Sequence, residues 1–432
     1  MTSLIDRRQN AVQAPALELE RRLEAVRDTF GADWLDSGDG SVPALWARRD
    51  FLATNQLLWL GDAIISMASA NRQWVKGLAK QIRRASANNR RGAMFELICL
   101  AAFSDRQSVR PTPGSCPGYD GLVKTRHGHE AAISIKNFGM SAHEKEFVDR
   151  SRELEQRFLA SLRGLKRNCV DLRVIAKKHP GFSAYQYLIA DITSVLANDP
   201  QTAGHAWQND DWVVMSRSLT ACDLSRSEPI SYQITVMSPK HENESKNLLD
   251  KLDTAYANAK KHAADFAGRC RMVFLHLPVN ASFNQCHDWT EQYLRGRPDS
   301  PIDMVMLYQP AVATKDNTSF ILHTAQVVLG AGFDQYRNSL STAFDGFAVG
   351  FFVGVVGSEP PRLQLMNDSG GVLPADNYYL YQQGHFYRDL DKKAGSGVLR
   401  NPAPGLFEHL LLPDGLELRG RFPPSGDLTL LD

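Results

Sequence analysis

Between residues 119 and 138 the chain alternates apolar and polar positions on both sides of Arg126-His127-Gly128-His129. That pattern fits a β-hairpin and little else. Strand side chains point to opposite faces with a period of two, and glycine supplies the positive φ of a tight turn. Residues 119–125 and 130–138 are the predicted strands. With the turn centred on Gly128, Asp120 falls opposite Lys136, Leu122 opposite Ser134, and Val123 opposite Ile133. Val123, Ile133 and Ile135 then share a core face, while Asp120, Ser134 and Lys136 share the other. A slip of one residue would scramble both sets.

What surrounds the hairpin defines a mixed α/β architecture. Upstream, residues 93–103 form an apolar helix containing one carboxylate, Glu96, and a loop rich in proline and glycine follows from Pro111 to Gly118. A carboxylate inside an apolar helix is costly unless something partners it. Downstream, residues 141–165 read as an amphipathic helix with Phe147, Leu154, Phe158, Leu162 and Leu165 on one side, and residues 170–176 as a strand. Helices are also expected at 45–67, 71–84, 243–264 and around 289–294, with buried strands at 232–237, 271–277 and 302–308. The first helical stretch carries Leu17, Leu19, Leu23, Val26 and Phe30 and ends in a turn at Asp36–Gly40. At about 150 residues per domain, 432 residues suggest roughly three domains. The expected segments are a helical N-terminal arm (1–87), a central core (88–176), an α/β segment completing that core (177–312) and a β-rich C-terminal region (313–432). Two helix–strand pairs compete to close the core sheet: 141–165 with 170–176, or, after an insertion, 243–264 with 271–277.

Glu96 on a helix after Arg90-Arg91-Gly92, followed by Asp120 and Ser134-Ile135-Lys136 on a hairpin, resembles the PD-(D/E)XK nuclease superfamily, which includes many restriction endonucleases and Holliday-junction resolvases. The resemblance spans about 80 residues and implies a restriction-endonuclease-like core sheet flanked by helices. It also implies a Mg²⁺-dependent endonuclease, with Mn²⁺ as a substitute, hydrolysing DNA phosphodiester bonds, with RNA as the second substrate candidate and restriction or phage defence as the setting. In that scheme Asp120 is the principal metal ligand and Lys136 positions the attacking water and stabilises charge on the phosphate. Ser134 departs from the family pattern, which has an acid two residues before the lysine. The missing acid then comes from Glu96 or from the following helix, where Glu144 and Glu146 are nearest. The rival reading is a nucleic-acid-binding protein with a degenerate nuclease core.

Charge supports a polynucleotide partner only locally. Lys and Arg total 49 against 48 for Asp and Glu, a formal net charge of +1. Between Asp62 and Glu96, however, the basic residues Arg72, Lys76, Lys80, Arg83, Arg84, Arg90 and Arg91 occur with no acid among them. Arg72, Lys76, Lys80 and Arg83 fall on one helical stripe opposite Trp74, Leu78 and Ile82, an arrangement suited to phosphates rather than base edges.

The remaining signals are weaker. The six cysteines form no C-x-x-C pair, which favours reduced thiols and a cytoplasmic setting over a zinc ribbon or a disulfide framework. The polar N-terminus is no signal peptide, and the longest apolar run, 346–357, is too short to cross a bilayer, so no membrane partner is expected. Cutting both strands of a duplex favours a homodimer. His127 and His129 flank the turn glycine, one strand from the proposed site. Tyr378, Tyr379, Tyr381, Phe386 and Tyr387 fit a hairpin core better than a base-stacking platform.

Overall fold

The computed structural model describes residues 15–48, 51–84, 87–103, 108–112, 118–125, 128–167, 170–198, 205–218, 232–262, 268–278, 281–315, 318–334, 355–357, 364–367, 372–374, 377–384, 406–411, 416–422 and 430–431. The fold is mixed α/β with a helical N-terminal region, and it separates into two compact units. Unit 1 comprises Met1–Gly139, Ser245–Pro360 and Leu428–Asp432; unit 2 comprises Met140–Glu244 and Pro361–Asp427. The four consecutive segments expected from the sequence are therefore corrected. The chain leaves the first unit after Gly139 and re-enters it at Ser245, so neither unit is continuous. No helix among the described residues is long and apolar enough to cross a membrane.

Unit 1 is built on a seven-stranded sheet in the order β1-β2-β3-β8-β9-β10-β11. The strands are β1 (Ser108–Pro111), β2 (Gly121–Lys124), β3 (Glu130–Asn137), β8 (Cys270–His276), β9 (Met304–Lys315), β10 (Thr318–Leu329) and β11 (Val355–Gly357). β1, β2 and β3 form an antiparallel meander, and β3, β8 and β9 run parallel. Alternation buries both faces. Val123, Ile133, Phe274 and Tyr308 pack with Val26, Phe30, Trp59 and Phe95 from helices α1 (Ala16–Phe30), α4 (Phe51–Arg84) and α5 (Ala87–Ala102). On the other face Val273, Leu275, Val305 and Leu307 meet Leu248 and Leu252 of α8 (Glu244–Lys261) and Phe283 and Leu294 of α9 (Phe283–Arg295). The result is three layers, helices on both sides of a mixed sheet whose central strands run parallel. The predicted helix at 45–67 is split: α3 (Ser41–Ala47) ends before α4 begins at Phe51.

β3 settles which pair closes the core. Ile133 pairs with Met272, Ser134 with Val273, Ile135 with Phe274 and Lys136 with Leu275, so the closing elements are α8 and β8. The competing pair belongs to unit 2. There α6 (Ala142–Gly164) and α7 (Phe182–Ala197) cover a five-stranded sheet in the order β14-β7-β4-β6-β5. Its strands are β4 (Val170–Ala176), β5 (His205–Gln208), β6 (Trp212–Ser218), β7 (Tyr232–Pro239) and β14 (Tyr378–Gly384). β4 and β7 are parallel, and Phe147, Leu154, Phe158, Tyr185 and Ile192 pack on Leu172, Val174, Ile234 and Val236. Ser141 caps α6, its Oγ accepting the Glu144 N–H at 3.0 Å. A four-stranded antiparallel sheet supplies the β-rich C-terminal part, from β12 (Gln364–Asn367), β13 (Val372–Pro374), β15 (Leu406–Leu411) and β16 (Leu416–Phe422).

Candidate active site

The hairpin that carries the site pairs two residues out of the expected register. Gly121 faces Ile133 and Val123 faces Ala131, rather than Val123 facing Ile133. The cause lies in the turn. Thr125 closes the loop by donating its N–H to the His129 carbonyl at 2.8 Å, and its Oγ1 accepts the His129 N–H at 3.1 Å. The pairing is thus centred one residue earlier than Gly128, whose φ is +89°. A shift of two preserves parity, so the division into faces survives: Val123 and Ile133 lie in the core beside half-buried Ile135. His127 lies outside the described residues.

Asp120 sits just before β2 and is tied to β3 on both sides of Ser134. Its N–H donates to the Ile133 carbonyl at 2.8 Å, and its Oδ2 accepts the Ile135 N–H at 2.6 Å. The following Gly121 is required by packing, because a Cβ there would stand 2.4 Å from Leu100 of α5. That close approach presses α5 onto the strand and brings Glu96 toward Asp120. Burial, and after it the Asp120 charge, drive the Glu96 pKa up to about 7 against the opposing pull of a hydrogen bond from Trp74 and the charge of Lys136. Asp120 is likewise raised, by burial above all, while the Ile135 N–H and Lys136 favour its ionised form. Glu96, Asp120 and Lys136 therefore form one electrostatic cluster. Ser134 is buried, and its Oγ has no hydrogen-bond partner among the described residues.

Glu146, the other acid expected at the site, lies on α6 in unit 2, where its charge acts on His179, and the Glu144 N–H is capped by Ser141. The following helix of the core is α8, not the helix that carries these acids. Tyr379 and Tyr381 are buried in the core of unit 2, on a strand that pairs with β7 rather than with a hairpin neighbour. Phe386 and Tyr387 lie outside the described residues.

The basic stripe begins at a break. Asn71 has φ −158° and ψ 91° inside α4, and its Oδ1 accepts the Trp74 N–H at 3.0 Å, so it caps a second helical segment. From there Arg72, Lys76, Lys80, Arg83 and Arg84 are exposed while Val75, Leu78 and Ile82 are buried. Arg83 also reaches the Phe30 carbonyl at 3.2 Å. Arg90 is committed to Asp39, donating to its carbonyl at 2.8 Å and its Oδ1 at 3.1 Å. Arg91 is half-buried, and its charge acts on His276. The free-standing part of the stripe is thus Arg72, Lys76 and Lys80.

Two polar residues beside the cluster escaped the sequence reading. Asn137 follows Lys136 on β3 and pairs with His276 on β8. The His276 Nδ1–H donates to Asn137 Oδ1 at 2.7 Å. Burial and the Arg91 charge push the His276 pKa down to about 3, so the ring is neutral. Its Nε2 and the Asn137 Nδ2 have no hydrogen-bond partner among the described residues. The available signal was a histidine interrupting the apolar run of a predicted buried strand. Trp74 was assigned to the packing face, yet its indole also donates to Glu96.

The arrangement can hold a hard cation. Among the described residues no three His, Cys, Asp or Glu side chains converge into a metal cage. Mg²⁺ does not need one, since it binds through one or two carboxylates and keeps waters and substrate oxygens for its other positions. Two half-buried carboxylates with raised pKa values fit that demand, because a divalent cation supplies the charge that desolvation withholds from them. No family model matches the chain, and neither a curated protein nor a solved structure matches it.

Proposed function

We propose that unit 1 is a Mg²⁺-dependent nuclease that hydrolyses phosphodiester bonds in DNA. The observation that carries the reading is the convergence of Glu96, Asp120 and Lys136 from α5, the start of β2 and β3, on a meander whose last strand runs parallel to β8. The same order of elements underlies the resemblance to the PD-(D/E)XK superfamily. Asp120 and Glu96 would hold the metal, which when bound neutralises phosphate charge and lowers the pKa of a water. The Lys136 ammonium favours negative charge developing on the phosphate and orients the attacking water. The Ser134 hydroxyl offers that water a hydrogen-bond partner. Arg72, Lys76 and Lys80 hold the nucleic acid by its phosphates. The setting in restriction or phage defence rests on the resemblance.

Ser134 favours a second reading, a nucleic-acid-binding protein with a degenerate core, because it removes the acid that the family places two residues before the lysine. One experiment separates them. Plasmid DNA and structured RNA are incubated with the wild type, Asp120→Ala and Lys136→Ala in Mg²⁺ or Mn²⁺, with binding measured in parallel. Metal-dependent cleavage by the wild type alone supports the nuclease. Salt-sensitive binding without cleavage supports the second reading. Equal cleavage by all three proteins refutes the site.

A further inference from the structure

Unit 2 contains a cluster of three histidines, independent of the acids in unit 1. His143 is the second residue of α6, His179 follows the end of β4, and His241 follows the end of the parallel neighbour β7. The His143 and His241 rings are stacked, with centroids 3.6 Å apart and planes 5° from parallel. The His179 ring stands nearly perpendicular to both, 5.0 Å from His241 and 5.8 Å from His143. All three are half-buried.

One of the two ring hydrogen bonds requires an unprotonated nitrogen, that of His241. His179 donates from Nδ1 to the Pro239 carbonyl at 3.1 Å, and His241 Nδ1 accepts the Asn243 N–H at 3.1 Å, leaving its proton on Nε2. The stacked rings of His143 and His241 are in van der Waals contact, so a positive charge on each would set like charges against one another.

The surrounding charges do not cancel this. Burial, with the charges of the two neighbouring histidines, lowers the His179 pKa against the Pro239 hydrogen bond and the Glu146 charge, which favour protonation. Lys178 at the β4 exit is held by Asp211 at 2.9 Å. Beyond β7, Lys240 and Glu242 flank His241 in the chain. Tyr379 of β14 lies 6.0 Å from His179, and its hydroxyl donates to Glu244, which also accepts from Ser141 Oγ at 2.8 Å.

We propose that His143, His179 and His241 form an acid-released clasp that fastens the start of α6 to the ends of β4 and β7. The cluster is stable while its members are neutral. A histidine with a depressed folded pKa contributes its full stability above the unfolded value near 6.5, and that contribution is lost as pH falls through the folded value. Acidification therefore opens the clasp, and each unit of depression changes the opening equilibrium about tenfold.

The test is amide hydrogen exchange of the full chain at pH 7.5 and 5.5, corrected for the intrinsic pH dependence of exchange. The expected result is a loss of protection of up to about tenfold at residues 142–148 and 235–239 at the lower pH, with residues 272–276 of unit 1 unchanged. In His143→Gln/His241→Gln the selective loss should vanish. Equal loss in both units, or in wild type and variant alike, overturns the proposal. Should the double variant not fold, NMR titration of the wild-type histidines decides. Midpoints separated from one another, with at least one below 6.5, support the clasp; three coincident midpoints near 6.5 refute it. Protection gained on adding Zn²⁺ at pH 7.5, with no loss at pH 5.5, also overturns it in favour of a metal site.

Discussion

In unit 2 two inward-facing carboxylates, Glu155 and Glu244, are satisfied by neutral hydroxyls, while the fully buried Asp171 is paired with Arg173 at 2.9 Å. Glu155 accepts from the phenols of Tyr232 and Tyr381, and Glu244 from Ser141 and Tyr379. In unit 1 Glu96 and Asp120 raise the cost of each other's charge, with Trp74, Lys136 and the Ile135 N–H giving only partial relief. Nearby, Ser134 Oγ, Asn137 Nδ2 and His276 Nε2 are buried without hydrogen-bond partners among the described residues. A carboxylate saturated by hydroxyls ties strands and helices together and has little reason to take up a cation. A pair held half-compensated is destabilising until something positive arrives, and for that reason it marks the candidate site.

The largest effect that would separate the two units is catalytic. Lys136→Ala should lower metal-dependent cleavage by about 10²- to 10⁴-fold, whereas Glu155→Gln in unit 2 should leave the rate of the folded protein unchanged. Loss of cleavage in both would erase the distinction. The next effect is on stability and pH. Glu96 is an acid whose folded pKa is raised from 4.5 to about 7, so its contribution is present below 4.5 and lost as pH rises through 7. Metal-free unit 1 should therefore weaken by roughly 2–3 kcal/mol across that range. Glu96→Gln should flatten the dependence, and Mg²⁺ should restore wild-type stability at pH 8. Urea midpoints followed by tryptophan fluorescence measure this, and a flat wild-type profile would contradict it.

Smaller effects sharpen the same contrast. Tyr381→Phe removes one of the two hydroxyls on Glu155 and should cost unit 2 about 1–2 kcal/mol, seen as a lower urea midpoint. A gain in stability would mean that Glu155 is not held as described. The smallest effect concerns the basic stripe. Arg72→Ala, Lys76→Ala and Lys80→Ala should each reduce the slope of log affinity against log salt by about 0.9 on duplex DNA. Arg90→Ala, already committed to Asp39, should leave that slope unchanged.

The parts legible in the sequence were those governed by local periodicity. The period-two alternation assigned Val123, Ile133 and Ile135 to one face and Asp120, Ser134 and Lys136 to the other, and that division survived a two-residue error in register. The strand at 170–176 agrees with β4 residue for residue. Asn71, read as the start of a helix, caps one. The register itself was not legible, because it depends on how Thr125 closes the turn rather than on the strand pattern. Glu146 was assigned to the site because it follows Lys136 closely in sequence, but the chain has left unit 1 by then.

By itself, then, the sequence determined the mixed α/β class, the element types around residues 88–176, the shared face of Asp120, Ser134 and Lys136, and the acid-free basic stripe. Each follows from interactions among residues within a few positions of one another. Tertiary structure alone decided that β8 closes the sheet beside β3, that Glu96 comes within electrostatic reach of Asp120, and that His276 meets Asn137. It also decided that three histidines from distant segments gather in unit 2, two of them stacked. These are encounters between residues tens to more than a hundred positions apart, selected by which apolar faces pack most completely, and no local pattern encodes that competition.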